Sequence, residues 1–219
     1  MMESIMWNNL NLDISEIYRY IGMPDADSKQ SQKLRPAIEQ MRLKALELIE
    51  ARCIYDYVPV KVSGPGEILL ANQYPVKADT SFFEGALEVL IAAQTIGIQL
   101  EEEALRVFEG KMLEGMVLDS CGTVAVDEIL ELLRDMVLKQ VLGRGLQTGH
   151  NLCPGANKIP LEAQKTLFAL LDGGEIGVTL KHTMLMTPMK SHTLIIPVGQ
   201  TLRKPNLTGE ISCEMCVEQ

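Results

Sequence analysis

Histidine is scarce in this chain: His150, His182 and His192 are the only three in 219 residues. None has the spacing of a metal box such as HExxH, so a zinc-hydrolase reading has no ligand set to rest on. No GxSxG, P-loop or GxGxxG element is present either, which removes the nucleophile-elbow hydrolases and the common phosphate cradles. Aromatic residues make up only 5%, and 20 basic residues face 29 acidic ones, a formal net charge of −9. A general nucleic-acid or anionic-membrane binder needs a concentrated positive surface, and this composition does not supply one. No apolar run reaches the roughly 18 residues of a membrane helix. The opening MMESIMWNNLNLD carries acidic and amide residues where a secretion signal has a basic segment before an apolar one. The expectation is a cytoplasmic protein with neither nucleic acid nor membrane as a partner.

A disulfide framework is also missing. Cys53, Cys121, Cys153, Cys213 and Cys216 are an odd number at irregular spacing, as in reduced thiols of a cytosol. Cys213 and Cys216 form a CxxC able to chelate a soft metal or cycle between thiol and disulfide, but no second ligand pair accompanies them. The 12 methionines read as gap-fillers in an aromatic-poor core, or as an adaptable binding face. With 47% hydrophobic and 22% charged residues, the chain has the composition of an ordinary globular protein. Its length supports one substantial core, or at most two small ones, with residues 200–219 as a C-terminal tail.

What is present is a succession of helical and extended patterns. Asp13 is a candidate N-cap for a helix over 14–21, which Gly22 and Pro24 end. Residues 30–53 carry Leu34, Ile38, Met41, Ala45, Leu48 and Ile49 on one face of a longer helix, with Pro36 in its first turns. Residues 54–62 alternate and are β-rich, with Pro59 marking an edge or bulge, and 67–70 read as a returning strand. The apolar run 89–97 fits a buried strand or a helix tail, and periodicity alone does not choose. Residues 101–142 read as helical, with a break near Gly110 or Gly115. Gly143, Gly145 and Gly149 open a loop; the first two read as a helix-ending pair rather than a phosphate cradle. Pro160 introduces a helix over 161–171. Strands over 177–186 and 191–198 most simply pair as a hairpin, placing His182 and His192 in strands. The fold class expected is α+β, helices packed on an antiparallel sheet, in one domain.

Several blocks together resemble the activation domain of cobalamin-dependent methionine synthase, particularly its stand-alone versions. They are SEIYRYIGMP, a long helix leading to CIYDYVPV, then VLIAAQTIG, then MLEGMVLDSCGTVAVDEILELL. The most specific is the stretch from 153 to 191, with Cys153-Pro154-Gly155, LLDGGEIGVTL and MTPMKS. The resemblance implies binding of S-adenosylmethionine beside a cobalamin carried by a partner. It further implies reductive reactivation in trans: an electron from a flavodoxin-type donor and a methyl group from S-adenosylmethionine restore methylcobalamin after oxidation to Co(II). The implied partner is a corrinoid-binding protein, or a methionine synthase without its own activation domain.

By the same resemblance the ligand residues are Asp127 on the long helix, with Glu128 its neighbour, and the loop residues Asn151, Cys153, Pro154, Gly155 and Ala156. His150 lies in that loop. The family loop has an arginine where Asn151 stands and a tyrosine where Ala156 stands. An alternative follows from these two positions: a non-catalytic protein that binds or caps a corrinoid protein without S-adenosylmethionine. A plain Pro-Gly turn before a helix is the bland account of the same residues. A thiol or metal protein using Cys213 and Cys216 is a third reading.

Overall fold

The long apolar stretches of this chain find one another in a sheet that is buried on both faces. In the computed structural model, which describes residues 2–23 and 28–202, the elements run in this order: β1 (Glu3–Trp7), α1 (Ile14–Tyr20), α2 (Lys29–Leu48), β2 (Ala51–Gly64), β3 (Glu67–Leu70), β4 (Tyr74–Lys77) and a 3₁₀ turn (Thr80–Phe83). There follow β5 (Ala86–Thr95), α3 (Gln99–Phe108), α4 (Met112–Gly143), β6 (Gln147–Thr148) and α5 (Ala163–Leu170). A second 3₁₀ turn (Gly173–Ile176), β7 (Thr179–Leu180), β8 (Met186–Thr187) and β9 (Ser191–Gly199) complete the described chain.

The main sheet has the order β4-β3-β2-β5-β9-β6, with β1 added beside β2, and every pairing is antiparallel. The α+β class with helices on an antiparallel sheet is therefore what the chain adopts. Side chains alternate across the strands as a period of two requires. Ile54, Val58, Val89, Ile91, Ala93 and Ile195 enter a core closed by α5. Cys53, Tyr55, Leu90, Ala92, Leu194 and Ile196 enter the opposite core, closed by Leu130, Leu133, Val137 and Val141 of α4. The first half of α4 belongs instead to a helical core with α1, α2 and α3.

Several local expectations are met. The Asp13 side chain accepts the Ser15 amide at the start of α1. The long helical region breaks at Gly110, between α3 and α4, whereas Gly115 lies inside α4. A Cβ on Gly115 would come within 2.7 Å of the Phe108 Cα, so glycine lets the two helices meet closely. Gly145 takes φ +71 at the end of α4, where the Leu146 amide reaches back to the Val141 carbonyl.

Others are corrected. The second helix ends at Leu48 and Cys53 lies in β2, because Ala51 onward alternates and finds β1 and β5 on its two sides. Pro36 lies in the interior of α2 rather than in its first turns. Residues 89–95 are strand. Residues 177–186 and 191–198 do not form a hairpin with each other. Among the described residues β7 pairs only with β8, and β9 pairs with β5 and β6, since a run buried on both sides needs a long apolar partner. His182 accordingly lies in an exposed turn, while His192 is in β9. Pro24, Cys213 and Cys216 lie outside the described residues. Among the described residues no helix is long and apolar enough to cross a membrane.

Candidate functional site

The loop after α4 is built as an extension of the sheet edge followed by a closed turn. Beyond β6 the Gly149 amide donates to the Pro197 carbonyl at 2.7 Å. Leu152 then exchanges hydrogen bonds with Ile195, N to O at 2.9 and 2.8 Å. A Cβ on Gly149 would press on the Pro197 ring at 3.2 Å, which accounts for the glycine. The chain then turns through Cys153-Pro154-Gly155-Ala156. The Ala156 amide donates to the Cys153 carbonyl at 2.9 Å, and Gly155 has φ +89. Proline second and a positive-φ glycine third make a type II turn.

That turn uses its own donors. The Gly155 amide bonds to the Ile159 carbonyl at 2.8 Å, and the Cys153 amide to Asn157 Oδ1 at 3.2 Å. The backbone amides of Cys153, Gly155 and Ala156 are thus already engaged within the loop. Any ligand here meets side chains and carbonyls rather than an amide nest. Asn151 and Cys153 are half-buried, and Cys153 packs against the core between sheet and α4. The two fully buried thiols are chemically quiet, since burial pushes Cys53 and Cys121 up to about 12.

The loop is also tied to the turn Thr80–Phe83, which sequence patterns do not single out. The Phe82 and His150 rings meet edge to face, with centroids 6.0 Å apart and planes at 82°. Lys158 Nζ lies 3.2 Å from Asp79 Oδ2. Asp79 caps its own turn, accepting from the Ser81 amide and hydroxyl at 3.1 and 2.7 Å. The Ser81 hydroxyl bond, helped by the Ser81 amide and Lys158, holds the Asp79 carboxyl below the usual aspartate range although burial pushes the other way. The one available signal was Asp79 two residues before Ser81, a capping pattern.

Asp127 stands on α4, half-buried, and accepts a hydrogen bond from the Tyr20 hydroxyl at 2.9 Å. Burial pushes its pKa up, and the Tyr20 bond opposes that shift without cancelling it. The Arg19 guanidinium lies over the Tyr20 ring at 4.3 Å. Glu128 is turned toward the start of α1 and accepts from the Asn11 amide at 3.4 Å. Asp119, Thr123 and Asp127, spaced by four, share one side of α4. Lys190 Nζ binds Thr123 Oγ1 at 2.8 Å and Asp119 Oδ1 at 3.0 Å, fixing the MTPMKS segment to that side. The Glu101 carboxylate accepts the Met189 amide at 2.8 Å.

Clefts open elsewhere among the described residues, and three of them are well defined. One of about 700 Å³ lies between the start of α1 and α2, lined by Asn11, Gln32, Arg35 and Arg42 among others. One of about 300 Å³ lies beside Trp7 and the end of α2. The third, about 430 Å³, separates β4 from α5. Neither Asp127 nor residues 150–156 line any of these three. Among the described residues no cluster of three or more His, Cys, Asp or Glu side chains is arranged to hold a metal ion.

No family model matches the sequence, and no curated protein matches it. The structure does find a likeness. A crystal structure of the MetH reactivation domain bound to AdoHcy superposes with a TM-score of 0.68 at 13% identity, covering 90% of this chain and 78% of that one. The fold is that of the MetH reactivation domain. At this identity the likeness extends to the architecture and not to individual side chains, and it assigns no role to Asp127, Asn151, Cys153, Pro154, Gly155 or Ala156.

Proposed function

We propose that this protein is a reactivation-type partner of a corrinoid methyltransferase. In this reading it holds S-adenosylmethionine at the loop after α4 and presents it to a cobalamin carried by another protein, the electron coming from a flavodoxin-type donor. The observation that carries the reading is the likeness over 90% of the chain to a domain solved with AdoHcy, the species left when S-adenosylmethionine gives up its methyl group. When bound, S-adenosylmethionine supplies the methyl group. The chain's own residues supply position, and proximity of this kind lowers a barrier by about 7–11 kcal/mol at best.

The residues present fit that ligand in part. Asp127 offers a carboxylate suited to an ammonium group. Asn151 offers a neutral amide to a carboxylate, without the fixed charge and bidentate geometry of an arginine. The rigid Pro154-Gly155 turn offers carbonyls and an apolar edge.

A second reading is favoured by a specific observation: the turn's amides are used internally, and by the resemblance Asn151 and Ala156 stand where a charged and an aromatic side chain are expected. It describes a protein that caps a corrinoid protein without taking S-adenosylmethionine. Calorimetry with S-adenosylmethionine and AdoHcy, paired with co-elution against a Co(II) corrinoid protein, separates the two. Saturable heat together with co-elution is expected for the first reading. Co-elution without heat would replace it by the second, and the loss of both would remove the two together.

A further inference from the structure

We propose that Phe82 and His150 form an aromatic corner for the adenine ring of an S-adenosyl ligand, with Phe82 the residue that selects for it. The inference rests on the reading above and deepens it by naming a determinant outside the loop. Residues 149–160 contain no Phe, Tyr or Trp, so the π surface at this loop comes from His150 and from its neighbour. Phe82 is that neighbour, and it makes the ring contact with His150. Two rings at 82° make a corner in which a planar heterocycle stacks on one and meets the other edge to face.

Both walls of the corner are fixed before any ligand arrives. His150 lies between Gly149 and Leu152, whose amides are bonded to Pro197 and Ile195 of β9. Phe82 is held in the capped turn at Asp79, next to the fully buried Phe83, and Lys158 ties Asp79 to the far end of the loop. Phe82 and His150 are both half-buried residues, and Phe82 also packs against the core closed by α5. The ring chemistry chooses the occupant. A bicyclic base fits against two small rings, whereas a corrin macrocycle needs a broad flat face. Aromatic platforms hold nucleobases by stacking of this kind, with an effect on the order of tenfold or more in affinity per base.

The test uses the full chain and two probes that split the ligand: 5′-methylthioadenosine, which carries the adenine, and S-methylmethionine, which carries the amino-acid sulfonium half. Phe82→Leu keeps apolar bulk and removes the π face. It is expected to weaken 5′-methylthioadenosine about tenfold while leaving S-methylmethionine unchanged; Phe82→Ala is expected to weaken the first probe further. Equal loss for both probes in Phe82→Leu would mean a merely structural residue and overturn the inference, as would unchanged binding of both. If the wild-type protein binds S-adenosylmethionine but not 5′-methylthioadenosine, the corner fails and the functional reading stands. If it binds neither, both fall.

Discussion

Asp127 holds its proton more tightly than a free aspartate because burial outweighs the Tyr20 hydrogen bond. An acid whose folded pKa is raised favours folding below the unfolded value of 3.8, and that contribution is lost as pH rises through the folded pKa. Asp127→Asn is therefore expected to raise the melting temperature at pH 7 and to have little effect near pH 3, read by thermal melts across pH. The same change should weaken S-adenosylmethionine, a trade of function for stability. His192 works in the opposite sense. Its Nδ1 is buried without a partner among the described residues, and burial pulls the pKa below 6.5. Its share of stability is present above pH 6.5 and is lost as pH falls toward the folded value. His192→Gln should flatten the pH dependence of stability on the acid side of neutrality, measured by urea titrations.

Backbone contacts set the other residue-scale limit. A Cβ on Gly199 would collide with the Gly85 carbonyl oxygen, which is backbone and cannot step aside. Gly199→Ala is expected to cost about 2–4 kcal/mol in urea unfolding. At this scale Asp13 was legible, because a cap is decided by its neighbours within a turn. Phe82 was not. Nothing within four residues of it announces a ring packed on His150, which lies far along the chain.

Among the elements, α4 does the most to join the two sides of the molecule. Its first half packs on helices and its second half on the sheet. Leu133 is fully buried under the strands, whereas Leu138 is 42% exposed. Leu133→Ala should cost about 2–5 kcal/mol, and Leu138→Ala should stay within roughly 0.5 kcal/mol of wild type. Equal effects in denaturant titrations would contradict this division of the helix. The pattern that reveals α4 as a helix is local and was readable. The pairing of β9 was not, because the nearest strand in sequence is not its partner. β5 offers a nine-position match from Thr95↔Ser191 to Ala86↔Gly199, and only a long strand covers a run buried on both faces.

For the molecule as a whole, Trp7 is the sole tryptophan, and it packs against both the helical core and the core beneath α4. If these cores melt together, tryptophan fluorescence and far-UV circular dichroism should give coincident urea transitions. Separated midpoints would mean that the helical layer and the sheet unfold independently. The net charge of −9 adds self-repulsion to the folded state.

Short-range physics is what the sequence by itself determined: helix periods, the Asp13 cap, the break at Gly110, the Pro154-Gly155 turn and the α+β class. Each depends on atoms a few residues apart. The tertiary structure alone decided which strands pair, that the loop consumes its own amides, that Asp127 faces Tyr20, and that Phe82 meets His150. The pairing of β5 with β9 and the Asp127–Tyr20 and Phe82–His150 contacts join residues tens to more than a hundred positions apart, while the loop amides find partners three or four residues away once the turn is held against β9. They form because burying two-sided apolar strands repays the loss of chain entropy only in one arrangement, and no local pattern encodes which arrangement that is.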